Sequence, residues 1–216
     1  MVRSVVVYSI PDSLFPLMPS LIIGLVGQVG CGKGTVTKHL KDNYNAVTFS
    51  FSASMRDILR RLHLAESRNH LITVSEVLRQ GFGEDLFSRV IAMDAREAKG
   101  ELVVIDGIRR PMDIATFAPL ANFVLVAIDA DIQIRFARIK ARGQNSGETD
   151  LTWECFLIEE ARSTEASIPA VMQTATYHLN NEGSPDALVE EIEKLMQAIR
   201  STPHVAYANP PHPHTA

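Results

Sequence analysis

Leu21-Ile22-Ile23-Gly24-Leu25-Val26-Gly27-Gln28-Val29-Gly30-Cys31-Gly32-Lys33-Gly34-Thr35 runs from a continuous apolar segment into a glycine-rich turn that ends on a lysine. Residues 21–26 do not alternate apolar with polar, which is how a strand covered on both faces reads. The turn fits G-x-x-x-x-G-K. Gly27, Gly30, Gly32 and Gly34 let successive backbone N–H groups turn inward around phosphate oxygens. Lys33 sets a charge against the terminal phosphates, and Thr35 offers a hydroxyl to Mg²⁺. A helix starting at about Lys33 points its positive end at the anion. Cys31 reads as a small filler of this loop and not as a nucleophile.

Outward from this stretch, four more apolar runs recur at residues 46–49, 102–105, 123–128 and 177–179. Helical segments separate them. Ile132, Phe136 and Ile139 share one helical face; so do Leu188, Val189, Ile192, Leu195, Met196 and Ile199, with Ser184 as N-cap and Pro185 as first helical residue. Strand–helix alternation with buried strands predicts an α/β fold, a five-stranded parallel sheet between two helical layers. Ligands bind such sheets at the carboxyl ends of the strands. The third strand is expected to end at Asp106-Gly107, so that the Asp106 carboxylate leaves its tip beside the phosphate loop and orients water on Mg²⁺. No His/Cys cluster with zinc spacing exists.

The 216 residues suit one domain, expected over 20–200, between a flexible arm (1–19) and a disordered tail (201–216) with four prolines and three histidines. Met18 is an alternative start to Met1. The formal net charge of −4 removes the basic footprint of a nucleic-acid binder. Two cysteines suit a reducing cytoplasm, and no apolar run approaches the ~18 residues of a membrane span.

The loop G-x-x-G-x-G-K-G-T resembles the P-loop of adenylate kinase and other nucleoside monophosphate kinases. That resemblance implies a P-loop NTPase fold with acceptor-binding helices and a short lid, ATP and Mg²⁺ as cofactors, and a small nucleotide as acceptor. Ser54-Met55-Arg56-Asp57-Ile58-Leu59-Arg60 resembles their T-G-D-x-L-R segment, which implies Ser54 and Arg60 at the acceptor and an acceptor-binding stretch over 53–98. Asp106-Gly107-Ile108-Arg109-Arg110 resembles D-G-[FY]-P-R. The proline is displaced to Pro111, so Arg109 and Arg110 are both candidates for the acceptor phosphate. Arg138-Ile139-Lys140-Ala141-Arg142 resembles the R-L-x-x-R run entering the lid, and Arg162 matches an arginine on the lid's return helix. Residues 180–184 resemble the segment against adenine, which implies Asn181 there. Arg79, Gln80 and Gly83 resemble a stretch of deoxynucleoside monophosphate kinases.

The chain resembles more closely an uncharacterised, mainly archaeal group of P-loop proteins related to dephospho-CoA kinase, over about residues 20–200, with Arg56 where glycine is usual. Dephospho-CoA kinases carry an acidic pair after the second strand. Residues 50–54 here hold no acid, which favours a (deoxy)nucleoside monophosphate acceptor over a hydroxyl. An ATPase or regulator without kinase activity is the competing class.

Arg135, Arg138 and Arg142 are spaced i, i+3, i+7, which predicts one basic helical face entering a polar lid over 142–162.

Overall fold

The computed structural model describes residues 19–143, 149–161 and 163–202. Most of the expected arm and tail lies outside them. The elements run β1 (Leu21–Val26), α1 (Lys33–Tyr44), β2 (Val47–Ser50), α2 (Phe51–Arg61), α3 (Arg68–Phe82), α4 (Leu86–Glu97), β3 (Leu102–Ile108), α5 (Pro111–Phe117), β4 (Phe123–Asp129), α6 (Ile132–Arg142), α7 (Trp153–Glu160), α8 (Ser163–Ala166), α9 (Ile168–Met172), β5 (Tyr177–Asn180) and α10 (Pro185–Ser201).

All five strands are parallel, in the order β2-β3-β1-β4-β5. Successive residues of each strand feed opposite faces. Ile23, Leu25, Val104 and Val126 pack under α1 and α10 with Val36, Leu40, Leu188, Ile192 and Ile199. Ile22, Val26, Ile105 and Leu125 pack on the other face against Phe87 and Ile91 of α4, Phe117 of α5, and Ile168 and Val171 of α9. This is the expected three-layer arrangement. β1 is central, and the chain leaves it at the switch point between β3 and β4, where a crevice opens above the sheet.

Several boundaries move. The second strand begins at Val47 and ends at Ser50, whose hydroxyl accepts the Ala53 N–H and starts α2 without a linker. β3 does not end at Asp106 but continues to Ile108. Gly107 takes φ +90°, and the register with β1 slips there, Leu25 facing Asp106 and Val26 facing Ile108. A residue with positive φ in a strand is a bulge position that glycine fills without steric cost. The bulge carries the chain past Asp106 and sets Arg109 at the strand's end. Ser184 caps α10 as expected, its hydroxyl accepting the Ala187 N–H at 3.2 Å, and the helix runs one residue into the expected tail.

α10 is also held to α1 by polar contacts. Glu193 accepts hydrogen bonds from Tyr44 Oη (2.6 Å) and pairs with His39 Nε2 (2.8 Å). The Tyr44 hydrogen bond, with His39 second, holds the Glu193 carboxyl below its usual value of 4.5. A depressed carboxyl stabilises the fold above the unfolded-state pKa, and that stability is lost as pH falls through the folded one. Glu193 is half-exposed, so the effect is small. Glu193→Gln should lower the urea midpoint at pH 7 and shrink the difference between pH 7 and pH 3.5. An unchanged difference would remove this staple from the account.

Candidate active site

The loop from Gly27 to Gly32 turns between β1 and α1 against two other segments. A Cβ on Gly27 would stand 2.5 Å from the Ile128 carbonyl oxygen, and one on Gly30 would stand 2.8 Å from that of Arg135. Gly32 has φ +107°, and a Cβ there would come within 2.1 Å of Asn181 Nδ2. The glycines are therefore fixed by the walls behind the loop as well as by the cradle in front. Asn181 is buried after β5 and donates to the Cys31 carbonyl at 2.8 Å. Arg138 Nη1 in turn donates to the Asn181 carbonyl at 2.8 Å. Cys31 is buried and fills the loop, as expected of it.

Lys33 Nζ donates to the Gly27 carbonyl at 2.6 Å and to the Gln28 carbonyl at 3.2 Å, so the ammonium lies across the mouth of the loop. Gly34 and Thr35 are exposed on the first turn of α1, which presents its N-terminal end to the crevice. The basic stripe needs correction. Arg135 is buried: it donates to the Val29 carbonyl at 3.1 Å and pairs with Glu160 of α7 at 2.7 Å. Gln28 Nε2 reaches the same carboxylate at 2.8 Å. Arg135 thus braces the back of the loop and leaves the face that Arg142 shares with solvent. Spacing alone placed it outward; its partner lies 25 residues later. Phe136, Trp153 and Phe156 pack ring on ring at 5.2–5.6 Å and pin α7 to α6 at the base of the expected lid. Residues 144–148 and Arg162 lie outside the described residues.

Asp106 is half-buried, with Oδ1 enclosed, and lies within reach of the charges of Lys33 and Arg109. Burial pushes its carboxyl above the usual carboxylate range, against the pull of Lys33, Arg109 and the Gly107 N–H. Oδ1 has no hydrogen-bond partner among the described residues. An orphaned buried carboxylate oxygen next to a phosphate-type loop fits a hydrated divalent cation, which would supply the missing partner.

The acceptor-side residues spread over three elements. Ser54 and Asp57 of α2 line a cavity of about 460 Å³ between α2, α3 and α4. Arg60 stands on the exposed side of α2, paired with Asp57 and with Glu66 at 3.2 Å. Arg109 pairs with buried Glu165 of α8, and Arg110 with Glu84 at 2.7 Å. Sequence reasoning missed Glu84, Asp113, Glu160 and Glu165. Asp113 accepts the N–H groups of Arg109 and Arg110 and the Ser88 hydroxyl, and so fixes the start of α5. An acid three residues after the turn was a local signal for it. The others are brought in by tertiary placement and leave no local mark.

A P-loop at the switch point of a five-stranded parallel sheet, with a half-buried acid on the neighbouring strand, defines a P-loop kinase-like protein. The family described as an AAA domain matches residues 26–156. UPF0200 protein TK1334 of Thermococcus kodakarensis is 30% identical over 84% of this chain and 99% of its own length. UPF0200 protein MJ1399 of Methanocaldococcus jannaschii is 25% identical over 83% of this chain and 90% of its own. The chain belongs to the AAA-domain family of P-loop proteins and to the UPF0200 family. Among solved structures, shikimate kinase from Bacteroides thetaiotaomicron superposes with a TM-score of 0.57 at 15% identity, over 83% of this chain and 98% of that one. TT1252 from Thermus thermophilus gives 0.54 at 21%, over 85% and 97%. At these identities the likeness is one of fold. No helix among the described residues is long and apolar enough to cross a membrane.

Proposed function

We propose that the protein is an ATP-dependent phosphotransferase that passes the γ-phosphoryl group to a small nucleotide, a nucleoside or deoxynucleoside monophosphate. One juxtaposition carries the reading: the charges of Lys33 in the donor loop and of Arg109, the candidate acceptor arginine, both reach the half-buried Asp106 carboxylate, whose Oδ1 has no hydrogen-bond partner among the described residues. A donor charge and a candidate acceptor charge at one centre support transfer over bare hydrolysis.

In this reading Gly27, Gly30, Cys31, Gly32, Lys33, Gly34 and Thr35 hold the triphosphate through backbone N–H groups and the Lys33 charge. Asn181 keeps the loop in shape and lies toward the adenine. Thr35 and Asp106 hold Mg²⁺, which when bound neutralises charge on the phosphates. Arg138, Arg142 and Arg162 approach the transferring group from the lid. Ser54, Arg60, Arg109 and Arg110 orient the acceptor. A phosphate acceptor is already an anionic nucleophile and needs no base. Transfer to a hydroxyl is the second reading. It is supported by the raised Asp106 carboxyl, which would take the hydroxyl proton in that case.

The test is ATP turnover measured with Mg²⁺ and, in turn, each NMP, each dNMP, dephospho-CoA and no acceptor. Stimulation by one nucleotide class supports the proposal. Stimulation by dephospho-CoA alone selects the hydroxyl reading, and turnover indifferent to every acceptor rejects both.

A further inference from the structure

Three arginines on the acceptor side already carry a carboxylate: Arg60 with Asp57 and Glu66, Arg109 with Glu165, and Arg110 with Glu84. Arg79 of α3 differs. It is only 6% exposed, and among the described residues no carboxylate lies within ion-pair distance of it. Its guanidinium donates to Ser75 Oγ at 3.2 Å and to the Glu84 carbonyl, and lies 5.3 Å over the Phe87 ring. All three partners are neutral. The nearest acids are engaged elsewhere, Asp113 with Ser88 and two backbone N–H groups, Glu84 with Arg110.

A buried cation with neutral partners is costly unless something charged arrives. Burial, and next the charge of Arg110, push the Arg79 pKa down, and the Asp113 and Glu84 carboxylates offset this only in part. Two guanidiniums near enough to repel are the arrangement that a bound dianion reverses, because each can donate to it in planar pairs. The Arg110–Glu84 pair holds Arg110 only weakly, since Glu84 is 61% exposed and such pairs exchange at little cost. Phe87, the ring under Arg79, also walls the α2–α3–α4 cavity, a mainly apolar space lined as well by Ile58, Leu78, Phe82 and Val90, with the Asp57 and Asp94 carboxylates at its edge as acceptors for base amino groups. An anionic head at Arg79 would put the attached body against this apolar lining.

We propose that Arg79 and Arg110 form the subsite for the phosphate monoester of the acceptor, with its base in the apolar cavity beside them. The nucleotide nature of the acceptor rests on the function proposed above; the clamp itself rests on Arg79. Arg79 lies within the 53–98 stretch expected to bind the acceptor, but no acceptor contact was assigned to it by resemblance as it was to Arg60, Arg109 and Arg110.

Titration of the full chain with AMP, CMP, GMP and UMP, the donor loop saturated with Mg²⁺ and a non-hydrolysable ATP analogue, decides it. Arg79→Gln keeps a donor for the Glu84 carbonyl and loses the charge. It should weaken the best mononucleotide at least about tenfold, while the ATP analogue binds as in the wild type and the corresponding nucleoside is unaffected. Arg110→Gln, on a partly exposed side chain, should do the same should Arg79→Gln fold poorly. Mononucleotide affinity within twofold of wild type in both variants overturns the clamp. So does an equal weakening of nucleoside and mononucleotide, which marks Arg79 as a strut of the α3–α4 turn. Failure of the wild type to bind the ATP analogue rejects the donor reading instead, and the mononucleotide arm still decides Arg79.

Discussion

Lys33→Ala should lower phosphoryl transfer at least about 100-fold, an increase of roughly 2.7 kcal/mol in the barrier. The ammonium is held at the mouth of the loop by the Gly27 and Gln28 carbonyls, so it meets the phosphates already in place. Pre-set charge needs no reorganisation during the reaction, and its removal is felt in the transition state. The side chain contributes nothing to either core cluster, so the thermal midpoint should move by no more than a few degrees. Steady-state kinetics and a melting curve on the same preparation check both halves. A folded Lys33→Ala protein with transfer within threefold of wild type would remove the loop from the chemistry.

Asp106→Asn should divide activity from stability. Without a bound cation the Asp106 carboxyl is pushed up by burial. A carboxyl with a raised folded-state pKa favours the fold below its unfolded value of 3.8, and that contribution is lost as pH rises through the folded pKa. At pH 7 the carboxyl therefore costs stability that a neutral amide of the same shape restores. The variant should melt at or above the wild-type temperature in the absence of metal. Its transfer rate should fall on the order of 100-fold, because an amide holds metal-bound water poorly. The Mg²⁺ needed for half-maximal rate should rise. Wild-type rate and wild-type Mg²⁺ dependence together would reduce Asp106 to a strand-end residue.

The frame of this molecule was legible because its central strands, β1, β3 and β4, are largely buried on both faces. Residues 21–26 and 123–128 read as unbroken apolar runs, and each is a strand of the sheet. The donor loop was legible for a related reason: its chemistry is contiguous in sequence, and glycine is required where Gly32 takes φ +107°. The bulge at Gly107 was not. Asp-Gly after an apolar run is the ordinary mark of a turn, and only pairing with β1 carries the strand on to Ile108. The ion pairs behind the site were also hidden. Arg135 looked like surface because helical spacing reports a face and not what covers it; Glu160 comes to it from α7. Glu165 and Arg109 are 56 residues apart and meet only because α8 packs beside the end of β3. Arg60 was legible as a local match, and its ion pair with Glu66 from beyond α2 was not.

The central claim is transfer, and following the label of [γ-³²P]ATP tests it most directly. The full chain is incubated with Mg²⁺, labelled ATP and each mononucleotide, and the products are separated. The account predicts label in a newly phosphorylated nucleotide with the wild-type protein and none with Lys33→Ala. Label appearing only as inorganic phosphate, at one rate with and without every acceptor, would contradict it.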